Sequence, residues 1–197
     1  MSEHESEHEE ALTLDVPQTE RLRREAERWR NSPRPQTVVA AGPGQESVWD
    51  YPRPPALQRV PVRVQVFLGA TCIADSRHCL RALETASPPT VYIPPGDVEA
   101  DVLVDEGGLS MCEWKGAATY FGARVDGRAL PQVAWTYPDP HPEYAPLAGF
   151  IAFYPGRVTR CLYGGQLVRP QPGRFYGGWI TPNLVGPFKG EPGSQGW

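Results

Sequence analysis

Proline and glycine break this chain into short pieces: 23 Pro and 20 Gly fall among 197 residues. Proline removes a backbone donor and cannot continue a helix interior or a central strand ladder. Glycine weakens both elements through its conformational freedom. Many turns and few long helices follow. Hydrophobic residues make up 40% of the chain, enough for a packed core. The length suits one ordinary domain with an appendage.

The net charge of -4 gives no strong basic field, so nucleic acid is not expected as a partner. Cys72, Cys79, Cys112 and Cys161 form no CxxC pair, which speaks against zinc and for free buried thiols. The opening MSEHESEHEE is acidic and has no apolar core of a secretory leader. No apolar run approaches the roughly 20 residues that span a bilayer. The expectation is a soluble cytoplasmic protein with no membrane partner, no metal and no cofactor.

Residues 1–18 read as an acidic, disordered tail, in which His4 and His8 are solvated. TERLRREAERWR, 19–30, reads as a helix. Thr19 caps it, Glu20 pairs with Arg24, and Leu22, Ala26 and Trp29 form a narrow apolar stripe. Residues 31–45 read as a Pro/Gly linker, and 46–197 as the globular domain.

Within that domain VRVQVFL, 62–68, alternates, with Val62, Val64, Val66 and Leu68 on one face. TCIA is a returning strand. SRHCLRALE, 76–84, is expected to be the main helix, capped by Asp75 or Ser76, with Cys79, Leu80 and Leu83 inward. TVYIP, LSMCEWKG, ATYFGARV, ALPQVAWTY, FIAFY and RVTRCLY read as strands, and Asp126-Gly127 as a two-residue hairpin turn. The C-terminal stretch from Gln171 is rich in glycine and aromatics and nearly free of charge, apart from Arg174, Lys189 and Glu191. Its apolar area, at roughly 25 cal/mol per Å², favours an ordered strap. The fold class is mainly β: a compact β-tent or barrel-like domain of coiled antiparallel sheets with one main α-helix, plus the N-terminal helix.

The segment CEWKG, 112–116, places an acid and a base two residues apart. On a strand, Glu113 and Lys115 would share one face and Trp114 would fill the core behind them. If that face is wet, the pair is an ordinary surface ion pair. If it is half-buried, it lines a site. Asp75 is a helix cap or a ligand-facing acid. Asp139 in TYPDP belongs to a turn between prolines. Tyr137, Tyr176 and Trp179 are pocket lining or packing, since tyrosine and tryptophan carry a polar handle on an apolar body. His78 and His141 are lone histidines on the surface. No P-loop, GxGxxG, GxSxG or HExxH occurs.

The motifs ADSR (74–77), YIPP (92–95), CEWKGAATY (112–120), AWTYPDP (134–140), AFYPGRV (152–158), FYGGWIT (175–181) and GPFKGEPGSQGW (186–197) together resemble the DUF427 family, a family of unknown function. The resemblance runs from about residue 48 to the end. It implies a compact β-tent domain with one helix on coiled sheets. The family also bears a nucleotidyltransferase-like label, but the DxD pair that holds magnesium in such enzymes is missing here. Arg174 departs from the usual pattern, in which a second glycine precedes FYGGW. The resemblance makes Glu113 and Lys115 candidates for a shared cleft.

Three functions remain open. The domain binds a small polar molecule through Asp75, Glu113, Lys115, Tyr137, Tyr176 and Trp179. Alternatively it is an enzyme with Glu113 or Asp139 as base and Lys115 as electrostatic stabiliser. Alternatively it is an interaction module that works through its N-terminal helix.

Overall fold

The computed structural model describes residues 13–30, 34–99, 101–125 and 127–197. The protein is mainly β, with 43% strand and 12% helix, and its sheets do not close into a barrel. In chain order the elements are β1 (Thr13–Leu14), α1 (Glu20–Trp29), β2 (Glu46–Ser47), β3 (Ala56–Arg59), β4 (Val64–Leu68), β5 (Thr71–Ser76), β6 (Leu80–Glu84) and β7 (Ser87–Ile93). Then come β8 (Leu103–Cys112), β9 (Gly116–Val125), β10 (Arg128–Thr136), β11 (Ile151–Phe153), β12 (Arg160–Tyr163), β13 (Gln166–Leu167), β14 (Arg169–Pro170), β15 (Trp179–Ile180) and β16 (Leu184–Val185). An eight-stranded antiparallel sheet runs β1-β3-β6-β7-β11-β10-β9-β8, and a four-stranded one runs β13-β12-β4-β5.

Side-chain alternation divides the large sheet into two faces. Val91 and Ile93 of β7 and Ile151 and Phe153 of β11 face the small sheet, where they meet Val64, Val66 and Leu68 of β4. Tyr92, Ala152 and Tyr154 point the opposite way, and join Trp135 and Tyr137 in a second cluster. The first face is mostly aliphatic and closes into a dry sandwich core. The second is mostly aromatic and is covered by the N-terminal segment and the C-terminal strap. β4 alternates as its sequence implies, with Phe67 outward under the Arg160 guanidinium at 3.9 Å.

SRHCLRALE is not a helix. β6 pairs with β3 on one edge and β7 on the other, with Leu80 opposite Tyr92 and Glu84 opposite Ser87. Leu80, Arg81, Ala82 and Leu83 are all buried. A strand covered on both faces shows no alternation, so its apolar residues mimic a helical stripe. The capping signal belongs to a turn instead: Ser76 Oγ accepts a hydrogen bond from His78 N at 3.0 Å and donates one to Asp97. Asp75 lies in β5, not at a helix terminus. It is exposed and paired with Arg63, the residue just before β4. The only α-helix among the described residues is α1.

α1 is docked on its own domain. Thr19 caps it, Glu20 pairs with Arg24 at 3.0 Å, and Leu22 is fully buried in the aromatic cluster. Arg21 anchors it: Nε donates to Glu143 at 3.1 Å, and the two terminal nitrogens donate to the carbonyls of Glu113 and Trp114. The expected disordered tail is corrected for residues 13–18. Thr13 and Leu14 pair with Gln58 and Leu57 of β3, and Val16 is buried beneath α1. The free edge of β3 offers backbone partners that no composition argument could show. The rest of the tail, with His4 and His8, lies outside the described residues, as do Asp126 and the start of the linker. Val125 pairs with Arg128, the register of a two-residue hairpin. Later in the linker, Val39 N donates to Gly186 O at 3.0 Å, so this stretch lies along the strap. The strap is ordered as expected, and Trp49 Nε1 donates to Pro187 O at 2.8 Å.

Glu143 is almost fully buried. Burial pushes its carboxyl upward, but hydrogen bonds from Arg21 and Thr19 outweigh this and hold it down at about 2. A depressed carboxylate contributes above its ordinary range and loses that contribution on acidification. We therefore expect α1 docking to be constant above about pH 4.3 and to weaken as pH falls toward 2. Glu143→Gln and Arg21→Ala should each speed amide exchange across residues 20–29 at pH 7, and unchanged exchange would refute this anchoring.

Candidate functional site

The aromatic face of the large sheet does not fill completely. A cavity of about 370 Å³ remains over its centre. Tyr92, Trp135, Tyr137 and Tyr154 wall it, and small residues at Ala82 and Ala118 leave the space open. The strap roofs it with Phe175, Tyr176 and Gly177, and Lys189 reaches it from farther along. The strap crosses Trp135 so closely that a Cβ on Gly177 would lie 2.2 Å from the indole edge. Only glycine permits that approach, which explains the GGW step.

CEWKG forms the remaining wall, and not as a strand. Cys112 pairs with Gly116, and residues 113–115 make the turn between β8 and β9. Gly116 has φ 100, a backbone conformation that side chains disfavour. The turn cancels the alternation. Glu113 faces solvent at the rim, while Trp114 and Lys115 both turn inward and are buried. The expected shared face of Glu113 and Lys115 is thus corrected. The turn is held from outside by Arg21 and by His141 N, which donates to Lys115 O at 3.0 Å. Cys112, one of the thiols expected to be buried, is half-buried: it packs against the aromatic cluster and lines the cavity.

The acid beside Lys115 is Glu84, at the end of β6. Its Oε1 accepts from Trp114 Nε1 at 3.2 Å and from Arg53 Nη2 at 2.9 Å. Arg53 also lies 4.0 Å above the Trp29 ring of α1. Burial pushes the Glu84 carboxyl upward, but Lys115 and Arg53 outweigh it, so Glu84 is held below its ordinary value and stays ionised. Lys115 is only 7% exposed. Burial favours its neutral form, but its surroundings, with the ionised Glu84 carboxylate among them, favour the charged one and prevail, so it keeps its proton. Its Nζ lies 6.0 Å from the Tyr137 ring centre. Among the described residues, none accepts a hydrogen bond from it. Lys189, half-buried and 5.5 Å from the Tyr176 ring centre, is lowered by burial. Burial also pushes Tyr92 and Tyr154 up to about 12, so both remain neutral phenols.

Of the residues named from sequence, Lys115, Tyr137 and Tyr176 line the cavity and Glu113 stands at its rim. Three do not belong to it. Asp75 pairs with Arg63 on the small sheet, Trp179 is buried with its indole donating to Phe153 O at 3.2 Å, and Asp139 is exposed outside the lining. Neither Glu113 nor Asp139 is enclosed as a general base would need to be. Reasoning from sequence missed Glu84, because β6 read as a helix, and Lys189. The signal for Lys189 was present: a lone cation in a segment almost free of charge. No three residues among His, Cys, Asp and Glu form a metal-binding group among the described residues. No helix among them is long and apolar enough to cross a membrane.

A family model described as a domain of unknown function (DUF427) matches residues 56–164, more than half of the chain. The chain belongs to the DUF427 family. No curated protein matches it. The matched span carries the aromatic face, Glu84 and the CEWKG turn, while the strap and α1 lie outside it. In this member of DUF427, the strap on the C-terminal side of the family span completes the cavity.

Glu84→Gln should be the costliest single change at this site. It leaves Arg53 and Lys115 without their carboxylate, and breaking a buried pair costs about 3–5 kcal/mol. The same depressed carboxyl predicts stability that is intact above about pH 4.3 and declines with acidification. Urea denaturation of the two proteins at pH 7 and pH 4 measures both effects. Equal midpoints at pH 7 would show that the network is not holding the site.

Proposed function

We propose that this DUF427 domain binds a small polar molecule in the cavity, with Lys115 orienting it and aromatic walls enclosing it. One observation carries the reading: Lys115, a largely buried residue, lines the cavity, and its ammonium has no acceptor among the described residues. Buried polar groups are ordinarily hydrogen-bonded, and leaving one unpaired costs free energy. A ligand oxygen would supply the missing acceptor. The cavity falls in the size range of small-molecule sites, which combine apolar walls with a few polar groups. The N-terminal helix supports this reading over an interaction module, because its apolar stripe is spent on its own domain through Leu22.

Thermal-shift screening against a library of small polar metabolites tests the proposal. A ligand at a hundred times its Kd adds about 2.7 kcal/mol of stability. For a chain of this size that is a rise of roughly 5–10 °C. Lys115→Met should fold and lose the response. A library with no stabilising member, or a hit that stabilises the variant equally, would sink the reading.

A further inference from the structure

The charges around the cavity do not balance, and the imbalance names a ligand class. Four charged residues line it: Glu84, Glu113, Lys115 and Lys189. Glu113 is exposed and solvated at the rim. Glu84 is already engaged by the Arg53 guanidinium and the Trp114 indole. With Arg53 behind Glu84, three cations, Arg53, Lys115 and Lys189, stand against Glu84 inside and Glu113 at the rim, an excess of one positive charge. Uncompensated charge is costly in a low-dielectric interior, so such groups are normally paired. Among the described residues, Glu84 and Glu113 are the only carboxylates that line the cavity, and neither accepts a hydrogen bond from Lys115.

We propose that the cavity takes a flat aromatic molecule bearing an oxyanion, a phosphate monoester or a carboxylate, with its charged group between Lys115 and Lys189. This rests on the reading of the cavity as a ligand site and narrows it. The two ammonium groups offer donors to several oxygens at once. The walls give the rest of the molecule its shape, because the rings of Tyr92, Trp135, Tyr137 and Tyr154 form faces on which another ring stacks. A cationic or neutral ligand would leave the excess charge in place.

Calorimetric titration with five probes distinguishes the possibilities: phenyl phosphate, phthalate, inorganic phosphate, benzyl alcohol and benzylamine. The aromatic oxyanions should bind best, inorganic phosphate and benzyl alcohol more weakly, and benzylamine not at all. The phosphate and carboxylate arms decide which oxyanion is preferred. Lys115→Met and Lys189→Met should each weaken the aromatic oxyanions roughly ten- to a hundred-fold, the range for a hydrogen bond to a charged group. Lys115→Arg should retain most of the affinity, and the Lys189 variant serves if the Lys115 variants do not fold. If benzyl alcohol binds as tightly as the anions, or both Met variants bind them unchanged, the oxyanion assignment is wrong and the ligand-site reading stands. If no probe binds and metabolite screening also yields nothing, both are wrong.

Discussion

Strands β7 and β11 place aliphatic side chains on one face of the large sheet and mostly aromatic ones on the other, and the rest of the molecule follows from that division. The aliphatic face packs against the small sheet and needs nothing more. The aromatic face is wide, because each ring buries on the order of 150–250 Å² and carries a polar tip that resists complete enclosure. It must be covered from outside the sheet. α1 covers one part through Leu22, and the strap covers another by passing Gly177 over Trp135. The rings touch one another on the sheet, but the strap does not fill the space above them, and a cavity is left.

The polar side of that cavity is a chain of contacts across the molecule. Trp29 of α1 stacks on Arg53, Arg53 pairs with Glu84, and Glu84 accepts from Trp114 and faces Lys115. Ions this enclosed are tolerable only when each finds partners. Arg53 and Glu84 hold each other through Nη2 and Oε1; neither lysine ammonium has an acceptor among the described residues. The contrast separates what the network contributes to stability from what it leaves available for binding. It also ties the N-terminal helix to the cavity, since Arg21 grips the carbonyls of the very turn that carries Trp114 and Lys115.

That turn shows how a local change of geometry alters chemistry. Period-two alternation would have sent Glu113 and Lys115 to one side as a self-neutralising pair. Three turn residues between Cys112 and Gly116 instead expose the acid and bury the base. The cation is thereby deprived of its sequence neighbour and given a distant partner, which Arg53 already shares.

Much of the architecture is local and was legible in the sequence. The density of proline and glycine excludes long helices, alternation marks β4, the register of the Val125–Arg128 hairpin matches its Asp-Gly signal, and Thr19 announces α1. The apolar content of the strap implied that it would be ordered. Features that depend on both faces or on distant segments were not legible. β6 lost its alternation because both its faces are covered, and so it imitated a helix. Lys115 and Tyr137 could be named as candidates from their motifs, but Glu84 and Lys189 could not be joined to them. These four residues come from separate segments, and the sheet order and the strap alone bring them together. The sequence determined which residues alternate, turn and carry charge, because those are properties of neighbours along the chain. The tertiary structure decided which charges are buried and which are left unpaired, because burial and pairing depend on what the fold lays across them.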